Sequence, residues 1–79
     1  MPLQAKLAEF VAKAGLKDDV AKWLETTGYV TYEDVALIVD DLSGVTAGLH
    51  AVMVSADVQS AKEIIAAVNC KKLWRLCKD

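Results

Sequence analysis

The side chains that most often do chemistry are scarce in this chain, which has one histidine and two cysteines. A catalytic histidine needs a nucleophile or carboxylate within reach, and a zinc site normally needs four ligands, or three with a water. His50, Cys70 and Cys77 are three good ligand types, but no paired Cys-x-x-Cys spacing accompanies them. We therefore interpret His50 as a surface or half-buried side chain, and we predict no metal site and no cofactor.

The serines and glycines form no catalytic or phosphate-binding motif. Ser43, Ser55 and Ser60 stand outside any nucleophile-elbow context. The four glycines form no phosphate-binding loop. The sequence therefore predicts that the protein is not an enzyme.

The spacing of the cysteines bears on the cellular compartment. Cys70 and Cys77 are seven residues apart in one predicted helix, a rise of about 10 Å, which exceeds the Cα separation of a disulfide. We therefore predict reduced thiols and a cytoplasmic protein. The first residues do not resemble a secretory signal, and no apolar run approaches the ~18 to 20 residues of a membrane span.

Composition indicates a single folded domain over residues 1–79. The chain is 54% hydrophobic, with one proline and four glycines, and such a composition can fill a core and excludes disorder as the main state. A formal net charge of −2 argues against a nucleic-acid-binding protein, which usually has a strongly basic domain.

Two amphipathic helices are predicted at the start of the chain. Apolar residues recur at helical spacing from Leu3 to Ala14, and Gly15 follows where a C-terminal cap is expected. A second helix runs from Leu16 to Thr27 and ends at Gly28.

The third helix has the clearest local signal. Thr31 can cap it, with Asp34 three residues later as a shortened capping box, and the apolar Val30 and Val35 flank this start. The apolar stripe extends this helix to Leu42. Asp40 and Asp41 then lie near its C-terminal end. The helix dipole disfavours acidic side chains at that end, so a shorter helix is the alternative.

The second half of the chain is predicted to contain a short element and one long helix. Residues 47–54 fit a helix or a strand, and we favour a helix because a single strand has no partner here. The last helix begins at Ser55 or Asp57 and continues for over twenty residues to the C-terminus. Its core stripe consists of Val58, Ala61, Ile64, Ile65 and Val68.

The end of the last helix differs from its beginning. Continuing the stripe through Val68 would bury Lys71, Lys72 and Arg75, which is unfavourable for unpaired charges. We therefore predict that the last two turns project beyond the body of the domain. Trp74 would then be available as an interface anchor, since aromatic side chains are enriched at interface hot spots.

An alternative for the same segment remains open. Cys70, Trp74 and Cys77 recur at i, i+4 and i+7 and so share one face of the helix. That face would pack on the first helix, whose Leu3 and Leu7 need a partner. The basic residues would then reflect only the preference for cations at a helix C-terminus.

Charge is divided unevenly along the chain. Residues 1–55 have four basic and eight acidic side chains, whereas residues 56–79 have five and three, giving net charges of −4 and +2. Opposite charges on two parts of one chain suggest contact between molecules. The predicted interface joins the acidic residues Glu33, Asp34, Asp40 and Asp41 to a neighbour's basic tail, Lys71, Lys72, Arg75 and Lys78, with Trp74.

The order of elements, four short helices and a long fifth, resembles the sterile alpha motif (SAM) domain. The similarity is found in Leu16–Val39, with the exit Gly28-Tyr29 and the helix start Thr31-Tyr32-Glu33-Asp34, and in Ile64, Ile65 and Val68 of the last helix. It covers about half of the chain. The resemblance implies protein–protein association, in some cases as head-to-tail polymers, without a cofactor.

The sequence therefore predicts an all-α, SAM-like five-helix bundle. Its expected function is protein–protein interaction, by self-association or by binding a helical partner. The alternative is a small protein that binds nucleic acid or a membrane surface through its basic C-terminal helix. The net acidity of the chain argues against both of these ligands.

Overall fold

The computed structural model describes residues 2–79, which contain helices and turns and no β-strand. The α-helices are α1 (Ala5–Lys13), α2 (Asp18–Thr27), α3 (Tyr32–Ala36), α4 (Ala51–Ser55) and α5 (Ala66–Lys78). Helix α5 is the longest, and it packs against α1, α3 and the segment before α4. The prediction of an all-α five-helix bundle with a long C-terminal helix is confirmed.

Local sequence signals set the boundaries of the first helices. Gly15 and Gly28 have φ angles of 82° and 101°, the left-handed conformation that glycine adopts without strain after a helix end. At the start of α3, the Thr31 hydroxyl accepts from Asp34 N at 3.2 Å, and the Asp34 carboxylate accepts from Thr31 N at 3.3 Å. The predicted capping box is therefore confirmed.

Helix α3 is shorter than its apolar stripe predicts. It ends at Ala36, so the extension to Leu42 is wrong and the shorter alternative is correct. The Asp41 carboxylate instead caps the next short 3₁₀ turn, Leu42–Gly44, by accepting from Gly44 N at 3.1 Å. An acidic side chain is favourable at such a start and unfavourable at a helix end.

The segment 46–55 is helical, as we favoured. A π-helical turn, Thr46–His50, leads directly into α4. Leu49 and Met53 point into the core from this segment and are fully buried. Gly48 lies so close to Val39 that a Cβ atom would overlap the valine side chain, so glycine is required by this close approach.

The prediction of a single last helix beginning at Ser55 or Asp57 is wrong. A 3₁₀ turn, Gln59–Lys62, comes first, and Glu63 is extended, with φ −69° and ψ 147°. Contacts with α2 hold this turn, because the Asp19 carboxylate accepts from Ser60 N at 2.8 Å and from the Ser60 hydroxyl at 2.5 Å. Helix α5 therefore begins only at Ala66.

The break at Glu63 changes which face of the following helix is buried. Val58 and Ala61 lie in the core as predicted, but Ile64, Ile65 and Val68 are exposed, contrary to the predicted stripe. The buried face of α5 consists of Ala66, Asn69, Cys70, Leu73, Trp74 and Cys77.

The last turns of α5 do not project from the body. Trp74 is only 6% exposed, and it belongs to the same core cluster as Leu7 and Val11 of α1. The alternative, in which the face of Cys70, Trp74 and Cys77 packs back on the domain, is therefore correct. Beside this face Lys72, Arg75 and Lys78 are exposed, and Lys71 is half-buried.

Candidate interaction surfaces

Two of the four predicted acidic residues lie in the first turn of α3, and the other two follow the exposed Leu37 in sequence, beyond the end of this helix. Glu33 and Asp34 belong to the first turn of α3, and Asp40 and Asp41 follow Leu37 by three and four residues. Leu37 itself is 80% exposed. We define the acidic patch as Glu33, Asp34, Leu37, Asp40 and Asp41.

Leu37 lines two shallow grooves beside α3. It shares one groove with Asp34, Ile38 and Tyr29. It shares the other with Glu33 and with the end of α5. A partner side chain could therefore contact the leucine from either side.

The carboxylates at the two ends of the patch are held in place by local hydrogen bonds. Asp34 takes part in the capping box with Thr31. The Ser43 hydroxyl donates to Asp41 at 2.7 Å, and this bond, together with Gly44 N, lowers the pKa of Asp41. The negative charge at this end of the patch is thus fixed in position.

The predicted basic tail does not form one continuous surface. Lys72 and Arg75 line a groove with Lys13 of α1, whereas Lys78 lies beside Glu33 and Leu37 at the acidic patch. Lys71, on the other side of α5, is half-buried. Among residues 2–79 none of the four tail residues forms an ion pair.

Trp74 is separated from these charges because it lies in the core. Its indole Nε1 is buried and has no hydrogen-bond acceptor in the described part of the chain. We therefore do not retain Trp74 as the anchor of an interface.

A second exposed apolar surface was not predicted from the sequence. Ile64 is 100% exposed, Ile65 is 52% exposed and Val68 is 47% exposed. We define these three residues as the aliphatic patch. Periodicity assigns them to the core, and only the bend at Glu63 turns them outward, so no local signal identifies them.

The polar cluster between α2 and the 3₁₀ turn has a structural role. Besides the bonds from Asp19 to Ser60, Lys17 pairs with Glu63 at 2.6 Å. Hydrogen bonding from the Ser60 hydroxyl lowers the pKa of Asp19. These contacts fix the turn that directs the aliphatic patch into solvent.

The one histidine is hydrogen-bonded within the fold, and the two cysteines are buried. His50 donates through Nε2 to the Ala61 carbonyl at 2.7 Å. Cys70 and Cys77 are free and buried, and burial raises the pKa of Cys70 to about 11 and that of Cys77 to about 12. Within residues 2–79 no three histidine, cysteine or acidic side chains are grouped as metal ligands.

The remaining properties of the chain are its lack of membrane-spanning helices in the described part and its similarity to known proteins. Across residues 2–79, none of the helices combines the length and the apolar character that crossing a bilayer requires. No protein-family description, curated protein or solved structure matches this sequence or its fold.

Proposed function

We propose that this chain is a protein–protein interaction module that self-associates through the acidic patch and the aliphatic patch. The observation that supports this proposal is the exposure of Leu37 and Ile64, at 80% and 100%, on two separate surfaces. Soluble proteins rarely leave clustered aliphatic side chains uncovered without an interaction to cover them.

The positions of the two patches favour contact between molecules over contact within one. Ile64 and Ile65 directly precede the start of α5 at Ala66. Leu37 shares a groove with Lys78 and Asp79 at the other end of this helix. The 13 residues of α5 separate the patches by roughly 18 Å along the axis. A heterologous contact between two copies would therefore extend into a chain or close into a ring.

Charge supports the same pairing. Four carboxylates belong to the acidic patch, whereas Lys71 and Lys72 follow Val68 by three and four residues and so lie one turn beyond the aliphatic patch. Opposite charges at the rim would steer and orient the copies, while the buried aliphatic side chains would supply most of the affinity.

The expected affinity is modest. Burial of one leucine or isoleucine side chain contributes about 1.5 to 3 kcal/mol, and the loss of translational and rotational freedom opposes association. We therefore expect reversible assembly that depends on concentration and weakens only moderately with added salt.

A family resemblance and the state of the cysteines support the same proposal. The resemblance to SAM domains over Leu16–Val39 supports an interaction role, and the two free cysteines support a reducing, cytoplasmic location. Lys78 lies apart from Lys72 and Arg75, and the chain has a formal net charge of −2, so we propose a protein partner in preference to nucleic acid or a membrane.

Sedimentation analysis over a concentration series tests the proposal. We expect the wild type to form species larger than the monomer, and both Leu37→Ser and Ile64→Ser to remain monomeric at the same concentration. Val52→Ser is the matched control, since Val52 is 46% exposed and lies outside both patches. Monomeric wild type at millimolar concentration would exclude self-association and leave a foreign helical partner as the alternative.

A further inference from the structure

A third surface, separate from the two patches, lies between the last turns of α1 and α5. Lys13 of α1 lines an open groove with Lys72, Arg75 and Leu76 of α5 and with Asp79, which follows this helix. Three cations from two helices therefore converge on one concave surface that contains a single carboxylate side chain.

Among residues 2–79, the cations of this groove have one ion-pair contact, between Lys13 and Glu9. Lys13 approaches Glu9 only at 3.9 Å, and both side chains are exposed. Lys72 and Arg75 form no ion pair within residues 2–79. The helix dipole explains why cations occur in the last turn of each helix, but it does not explain why cations of two helices share one groove.

The groove also offers an apolar contact. Leu76 is half-buried and lies among the cations. An arginine guanidinium can bind a carboxylate through two parallel hydrogen bonds, and lysine ammonium groups add charge without such geometry. The surface is therefore suited to a ligand that combines carboxylates with an aliphatic side chain.

We propose that this groove binds an acidic protein segment in which an aliphatic side chain is flanked by carboxylates. Arg75 and Lys13 contact the carboxylates, and Leu76 contacts the aliphatic side chain. A concave surface between two helices fits a narrow peptide better than the flat surface of a bilayer. This proposal does not depend on self-association, because neither Arg75 nor Lys13 belongs to the acidic or the aliphatic patch.

Asp79 provides an internal test of this assignment. Its carboxylate is the one acidic side chain that lines the groove and should repel the ligand. Asp79→Asn should therefore strengthen binding by roughly three-fold, whereas Arg75→Gln should weaken it by roughly five-fold. The control Lys22→Gln removes the same charge from an exposed position on α2 outside the groove.

Fluorescence anisotropy of a labelled peptide, acetyl-Glu-Glu-Leu-Glu-Glu-amide, measures these effects. The wild type should bind this probe, and an analogue with serine in place of leucine should bind more weakly. Thermal melts check that each variant is folded. Lys72 is left unchanged because it also borders the aliphatic patch. The variants that decide the outcome, at Arg75 and Asp79, lie outside both patches, so they separate binding in the groove from the contact tested by sedimentation.

Three results would overturn the proposal. Equal loss of affinity in Arg75→Gln and Lys22→Gln would show that the probe responds only to overall charge, and unchanged affinity in both Arg75→Gln and Asp79→Asn would show that it does not bind in the groove. Binding to phosphatidylserine-containing vesicles but not to the peptide would assign the surface to lipid instead.

Discussion

Replacement of Trp74 and of Ile64 by alanine tests the position of α5, because helical periodicity and the structure assign these side chains to opposite environments. Trp74 is 6% exposed in the core, whereas Ile64 is 100% exposed. Truncation of a buried tryptophan costs about 3 to 5 kcal/mol through lost burial and the cavity that remains. Truncation of an exposed side chain usually changes stability by less than about 0.5 kcal/mol.

These differences are large for a chain of this size. A domain of 79 residues has a total stability of about 4 to 12 kcal/mol, so Trp74→Ala would remove a large share of it. A loss of about 4 kcal/mol corresponds to a decrease in Tm of roughly 15 to 30 °C. Ile64→Ala should leave the Tm nearly unchanged.

Denaturant unfolding followed by circular dichroism measures both free energies of unfolding. Trp74→Phe is a milder variant for use if Trp74→Ala does not fold, because it retains a ring and removes the indole N–H that has no acceptor in the described residues. It should cost less than Trp74→Ala. A larger loss for Ile64→Ala than for the Trp74 variants would show that α5 is continuous and rotated, and would refute the described packing.

The remaining predictions concern the helix start, acid stability and the thiols. Thr31→Ala should lower the free energy of unfolding by about 1 kcal/mol through loss of the cap, and an unchanged unfolding curve would mean that the capping box does not stabilise α3. The Ser60 hydroxyl lowers the pKa of Asp19, so this carboxylate stabilises the folded state above its unfolded pKa of about 3.9. That contribution is lost as the pH falls through the lower folded value. Ser60→Ala should therefore reduce the loss of stability on acidification, and an unaltered dependence of unfolding on pH would contradict this. Burial raises the pKa of Cys70 to about 11 and of Cys77 to about 12, so both thiols should react with a disulfide reagent only after denaturant is added. Rapid modification of the native protein, or a covalent dimer after mild oxidation, would show that α5 exposes them.

Local sequence signals are sufficient to predict the ends of α1 and α2 and the start of α3. The ends of α1 and α2 depend on Gly15 and Gly28, and the start of α3 depends on Thr31 and Asp34. Each of these features acts within a few residues, so it can be recognised in the sequence. The early end of α3 can be predicted only as an alternative to a helix that extends to Leu42. Its one signal in the sequence is the unfavourable position of Asp40 and Asp41 near the C-terminal end of the longer helix.

The beginning of α5 could not be predicted in this way. Residues 58–65 contain neither glycine nor proline, and their spacing is compatible with a helix. The break depends on contacts distant in sequence, in which Asp19 binds Ser60 and Lys17 pairs with Glu63. Consequently periodicity places the aliphatic patch in the core and leaves Trp74 open between the surface and the core. Of the acidic residues, Glu33, Asp40 and Asp41 are exposed and Asp34 is half-buried.

A mixing experiment tests the central claim of self-association most directly. Leu37→Ser retains the aliphatic patch, and Ile64→Ser retains the acidic patch, so each variant alone should be monomeric. If the contact is heterologous, an equimolar mixture contains one intact pair of patches and should form a dimer that grows no further. Light scattering coupled to gel filtration would show this mass. A mixture that remains monomeric at a concentration where the wild type associates would contradict the pairing of these two patches.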